Sequence, residues 1–75
     1  MTTTYDFGDG NGPVAAHQHS NGGGWVADTA KVDETSYVGL NAMVFDNAIV
    51  SGNAEVSGNS EVSGNAEVSG NTFLV

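Results

Sequence analysis

Residues 26–73 read VADTAK (26–31), VDETSY (32–37), VGLNAM (38–43), VFDNAI (44–49), VSGNAE (50–55), VSGNSE (56–61), VSGNAE (62–67) and VSGNTF (68–73). These eight six-residue units follow one another without an insertion, and a ninth begins at Leu74. The first position is Val in every unit and the fifth is Ala, Ser or Thr. A repeat of fixed period is one structural unit copied and stacked, and it outranks local propensity.

Within each unit, positions five, six and one read as a short strand. Side chains alternate along a strand, so if Val points inward the small residue two places earlier does too, and position six points out. Positions two to four form a corner, which in the later units is Ser-Gly-Asn, a sequence that turns at low conformational cost. No helical apolar period is visible.

Working outward, residues 1–25 are rich in Gly, Thr, Asn and His and hold the single proline, Pro13. They read as an irregular Gly-rich N-terminal arm or cap ending in a flexible Gly22-Gly23-Gly24, with residues 26–75 as the repeat domain. Tyr5, Phe7, Val14 and Trp25 are the arm's sizeable apolar anchors and are expected to cover the first turn of the repeat, whose edge would otherwise be open.

The units resemble the hexapeptide repeat of left-handed parallel β-helices, the fold of many bacterial acyltransferases. The resemblance implies an all-β chain wound as a short parallel β-helix (β-solenoid) of under three coils. It also implies that residues 18 apart stack: Val26 with Val44 and Val62, Val32 with Val50 and Val68, Val38 with Val56 and Leu74. The family pattern often places Gly directly after the aliphatic residue. Here it usually sits one place later, so a triangular left-handed winding is preferred and a right-handed one stays open. So short a stack predicts self-association as a homo-oligomer.

Nine acids stand against one base, Lys31, for a formal net charge of −8. That field opposes direct contact with nucleic acid or an anionic membrane and favours a basic protein surface. The plainer reading is that acidity keeps a small domain soluble. There is no Cys, and the N-terminus MTTTYDFGDG lacks the basic start and apolar middle of a signal peptide, so a cytoplasmic location is expected. Position six runs Lys31, Tyr37, Met43, Ile49, Glu55, Glu61, Glu67, Phe73 along the chain. Tyr37, Met43, Phe45 and Ile49 are therefore candidates for an apolar partner or subunit contact. The alternative is that the arm folds back over them. Asp28, Asp33, Glu34, Asp46, Glu55, Glu61 and Glu67 are the candidate acidic partner-binding residues.

Enzymatic chemistry finds little footing. His17 and His19 in HQHS form a His-x-His pair, but zinc sites take three or four protein ligands, and no metal or other cofactor is expected. DFGDGNG (6–12) lacks the calcium-loop spacing and reads as a Gly-rich turn. The resembling acyltransferases and carbonic anhydrases use histidines on or beside the coils, and none lies within residues 26–75. Two functions compete. Small acidic phage-encoded inhibitors such as anti-CRISPRs suggest a DNA mimic that blocks a basic channel of a nucleic-acid-binding complex in a host bacterium. VxGNAxV tracts in larger phage and bacterial assemblies suggest instead a structural spacer or oligomerisation module. Ice binding would need a regular Thr face, and the repeat holds only Thr29, Thr35 and Thr72.

Overall fold

Local turn chemistry sets where the chain bends. In the later units the third position is Gly52, Gly58, Gly64 or Gly70, each with φ between 64° and 66°. A positive φ there followed by an ordinary residue closes a tight turn, and only Gly takes it without strain. The fifth-position amide closes the bend onto the second-position carbonyl, as from Ser36 to Asp33 (3.0 Å) and from Ala42 to Gly39 (2.9 Å). Asp46 occupies the Gly position of its unit and still adopts φ 62°. Asp tolerates this region better than most side chains, at a cost of about 1 kcal/mol.

The computed structural model describes residues 3–74, and among them every regular element is a strand. Two strands belong to the arm, β1 (Thr4–Asp6) and β2 (Pro13–Gln18). β3 (Trp25–Ala27) opens the repeat. β4 (Lys31–Val32), β5 (Tyr37–Val38), β6 (Met43–Val44), β7 (Ile49–Val50), β8 (Glu55–Val56), β9 (Glu61–Val62), β10 (Glu67–Val68) and β11 (Phe73–Leu74) follow at six-residue intervals. Each of these eight takes its unit's sixth residue and the first residue of the next unit, Val in all but β11, where it is Leu74.

The strands are divided among three sheets: β1-β2-β3-β6-β9, β10-β7-β4 and β11-β8-β5. Within the repeat all pairing is parallel and joins residues 18 apart, as Val26 with Val44, Val44 with Val62, Val50 with Val68, and Val56 with Leu74. The valines face a common interior. Val26, Val38, Val44, Val50 and Val56 are fully buried, with Ala30, Ser36, Ala42, Ala48 and Ala54 between them. Small residues at position five are what so narrow an interior can hold. In the last passage through the sheets the cover thins: Ala66 and Thr72 are exposed although Ala30 and Ala48 are buried.

The pairing corrects the expected parallel β-helix with an irregular arm. The strands form three separate sheets, none closed on itself, and the largest is mixed. β1 pairs antiparallel with β2, and β2 antiparallel with β3. The physical reason lies in the corners, which interrupt each ladder after two residues, and in the arm, which is ordered into strands. Gly22-Gly23-Gly24, expected to be flexible, is packed in place. The Val38 amide donates to the Asn21 carbonyl (3.0 Å) and the Gly24 amide to the Val38 carbonyl (2.9 Å). A Cβ on Gly24 would collide with the Gly39 carbonyl oxygen and a Val38 methyl.

Val50 and Val68 share one column but differ in how completely they are enclosed (1% and 8% exposed). Val50→Ala is expected to cost about 2 kcal/mol, the transfer loss of two methyl groups plus a cavity, and Val68→Ala about half as much. Urea unfolding followed by circular dichroism measures both. Equal losses would contradict a core that thins toward β9, β10 and β11.

Candidate functional site

The arm builds the first feature of the surface. Its hairpin turn, residues 7–12, carries Gly8, Gly10 and Gly12 at positive φ, and Asp6 and Asp9 accept the amides of Gly8 (2.8 Å) and Asn11 (3.1 Å). Folded over the first sheet, the arm places Tyr5 flat on Trp25 (centroids 4.6 Å) and Phe7 flat on Phe45 (4.9 Å), with Tyr5 edge-on to Phe7. Phe7, Ala16, Ala27 and Phe45 form a second core, against which Tyr5, Trp25 and Met43 pack. Stacked and edge-on rings at such distances add to the stabilisation that their burial gives.

This arrangement settles where the expected apolar contact residues lie. Phe45 is 5% exposed and Met43 half-buried, both under the arm. Tyr37 and Ile49 reach solvent (36% and 38%), but from different sheets. The position-six residues form three lines, not one: Trp25–Met43–Glu61, Lys31–Ile49–Glu67 and Tyr37–Glu55–Phe73. Tyr37, Met43, Phe45 and Ile49 therefore make no contiguous patch. The exposed apolar side chain nearest to Tyr37 in sequence is Leu40, at the following corner.

The acids are spread in the same way. Glu55, Glu61 and Glu67 are exposed, one on the outer face of each sheet, and so form a belt around the chain. Asp33 and Glu34 lie at the corner after β4, and Asp28 and Asp46 follow β3 and β6 at one corner. Some of these carboxylates bind the fold itself. Asp33 Oδ2 accepts the Gly52 amide (3.0 Å) and Asp46 Oδ2 accepts the Gly64 amide (3.2 Å), each from the neighbouring passage of chain. Thr29 Oγ1 donates to the Asp46 carbonyl, and Thr35 Oγ1 to that of Gly52.

Both histidines are engaged at the N-terminal end of the valine core. His17 is the register partner of Val26, yet its side chain is exposed, and His19 follows just beyond the end of β2. His19 is buried with Nε2 2.8 Å from the Ser36 carbonyl, an acceptor, so that nitrogen carries the proton. His17 Nδ1 stands 2.8 Å from Asp28 Oδ1, the one ion pair among the described residues if the ring is charged. Among those residues no group of three or more His, Asp or Glu side chains is gathered to hold a metal.

Between the hairpin and the Asp28–Asp46 corner lies a groove of about 520 Å³. Phe7, Val14, Ala15, Ala27 and Phe45 give it an apolar wall, and Asp9, Asp28 and Asp46 line it as well. Asp9, which is outside the acids expected to bind a partner, is brought there by the hairpin. Compared with known protein families, curated proteins and solved structures, the chain matches none.

Phe7→Ala would open the aromatic cover and leave Phe45 wet, at a cost of about 3 kcal/mol. Trp25 fluorescence is expected to shift to longer wavelength as Tyr5 loosens above it. An unchanged emission maximum in a folded variant would show that the arm holds without Phe7.

Proposed function

We propose that this chain is a non-enzymatic, acidic interaction protein that competes with nucleic acid for a basic channel of a DNA-binding complex, acting in a bacterial cytoplasm in the manner of small phage-encoded inhibitors. The observation that carries the reading is the charge distribution: a net −8 with one base, carboxylates on all three outer faces, and a single imidazole as their only ion-pair partner among the described residues. Glu34, Glu55, Glu61 and Glu67 are exposed and project from short strands and tight corners, so little ordering is needed on binding. Charge-assisted hydrogen bonds from partner Lys and Arg to these groups would replace their contacts with phosphate. Rows of duplex phosphate are much denser, about one charge per 1.7 Å, so the imitation is of charge sign and rigidity more than of spacing. Tyr37, Leu40 and Ile49 supply apolar contact at separate points.

Binding to a purified nucleic-acid-binding complex is expected to weaken at least about tenfold between roughly 50 and 200 mM salt, and labelled DNA to be displaced stoichiometrically in anisotropy titrations. A complex that holds DNA and this chain together, or the absence of any basic partner at low salt, overturns the reading.

One observation favours a second reading, an oligomerisation or spacer module. β9, β10 and β11 each have a strand neighbour on one side only, beside exposed Ala66 and Phe73 and a half-buried Leu74. Open edges of this kind pair with other chains. A stable homo-oligomer in sedimentation at all salt concentrations, with no basic partner, would select it.

A further inference from the structure

We infer that the groove between the β1–β2 hairpin and the Asp28–Asp46 corner receives an arginine side chain presented by a segment of a basic protein partner. The inference rests on the interaction-protein reading and assigns it a specific contact. The groove combines two properties. It has an apolar wall, Phe7, Val14, Ala15 and Phe45, and it has carboxylates at the same opening, Asp9, Asp28 and Asp46, with no Lys or Arg among its lining residues. Val26 pairs with Val44, so Asp28 and Asp46, each two residues further on, belong to neighbouring rungs and line the groove from the same corner. Asp28 Oδ1 is taken by His17 and Asp46 Oδ2 by the Gly64 amide. The second oxygen of each carboxylate is left to accept from a ligand.

The ligand chemistry follows. A cation is required by charge complementarity, and its stem must be apolar to lie against the wall. Lys and Arg both bury their methylene stems along apolar surface while the head stays polar. A guanidinium is planar, offers five donors in a rigid fork and is less strongly hydrated than an ammonium, so it can donate to two carboxylates on neighbouring rungs at once and tolerates the adjacent aromatic wall. A point-like ammonium satisfies fewer of these groups. A small inorganic cation would leave the apolar wall unused.

The test uses the whole chain, labelled with 15N, titrated with three capped tripeptides: Gly-Arg-Gly, Gly-Lys-Gly and Gly-citrulline-Gly. Citrulline keeps the shape of Arg and removes its charge. Saturable amide shifts are expected for Gly-Arg-Gly at residues around Asp28, Thr29, Asp46 and Asn47, with Gly-Lys-Gly at least threefold weaker and the citrulline peptide silent. Asp46→Asn preserves an acceptor for the Gly64 amide and suits the left-handed backbone, so its fold is retained. It is expected to weaken Gly-Arg-Gly at least fivefold. Asp6→Asn, which removes the same charge outside the groove, should change it less than twofold. Shifts absent at tens of millimolar peptide, shifts spread over the Glu55, Glu61 and Glu67 belt, or equal effects of the two variants would each overturn the inference. The two readings fail separately. If a basic complex is captured equally well by Asp46→Asn and by the unaltered chain, the arginine site is wrong and the inhibitor reading stands. If the peptide binds as described but DNA is not displaced from any complex, the inhibitor reading is wrong and the site remains.

Discussion

Burial of one valine per six residues against a narrow shared interior is the constraint from which the rest of this structure follows. Each fully buried valine is worth on the order of 1.5–3 kcal/mol relative to exposure, and Val26, Val38, Val44, Val50 and Val56 all reach that state. The gain is realised only if residues 18 apart meet, because a slip of one residue would turn every valine to solvent. Small residues at position five are required by the same geometry, and the corner turns at positions two to four exist to return the chain to the next column. Outward positions are thereby released from packing duty, which is why Lys31, Tyr37, Ile49 and the glutamates can vary as they do.

The arm solves a different problem. A set of parallel strands has an exposed first rung, and here β2 pairs on β3 while the 19–24 segment lies along β5. His19 supplies a buried donor to the Ser36 carbonyl, and Gly24 allows a backbone approach that any side chain would block. The aromatic layer of Tyr5, Phe7, Trp25 and Phe45 then fixes the hairpin over the first sheet. Because the hairpin is fixed there, the Asp28–Asp46 corner acquires a wall, and an otherwise flat acidic edge becomes a groove.

The valine columns, the inward small residues and the corner positions were legible in the sequence, because a strict period leaves few packings that bury Val at every copy. The arm was not. Its Asp-Gly and Asn-Gly dipeptides within DFGDGNG were a hairpin signal, but β1 has only three residues and β2 buries only Ala16 fully, and their order comes from contacts with Trp25, Ala27 and Phe45, which lie outside the segment. The site was only partly legible. Reading position six along the chain placed Tyr37, Met43 and Ile49 together. The 18-residue register separates them onto three sheets, so adjacency in the repeat is not adjacency in space. Asp46 shows a further limit: its position in the Gly column was visible, but not that its carboxylate would hold the next passage of chain through the Gly64 amide.

The two ends of the valine stack are held unequally. At one end strand pairing, a buried imidazole and four aromatic rings cover β3 and β5, and β4 alone is paired on one side only. At the other, β9, β10 and β11 have partners on one side alone, and Ala66 is already wet. Opening is therefore directional: amide protons should exchange fastest around residues 61–74 and slow progressively toward the arm, so that the molecule frays like a rope bound at one end, losing its last passage of chain long before it loses its first.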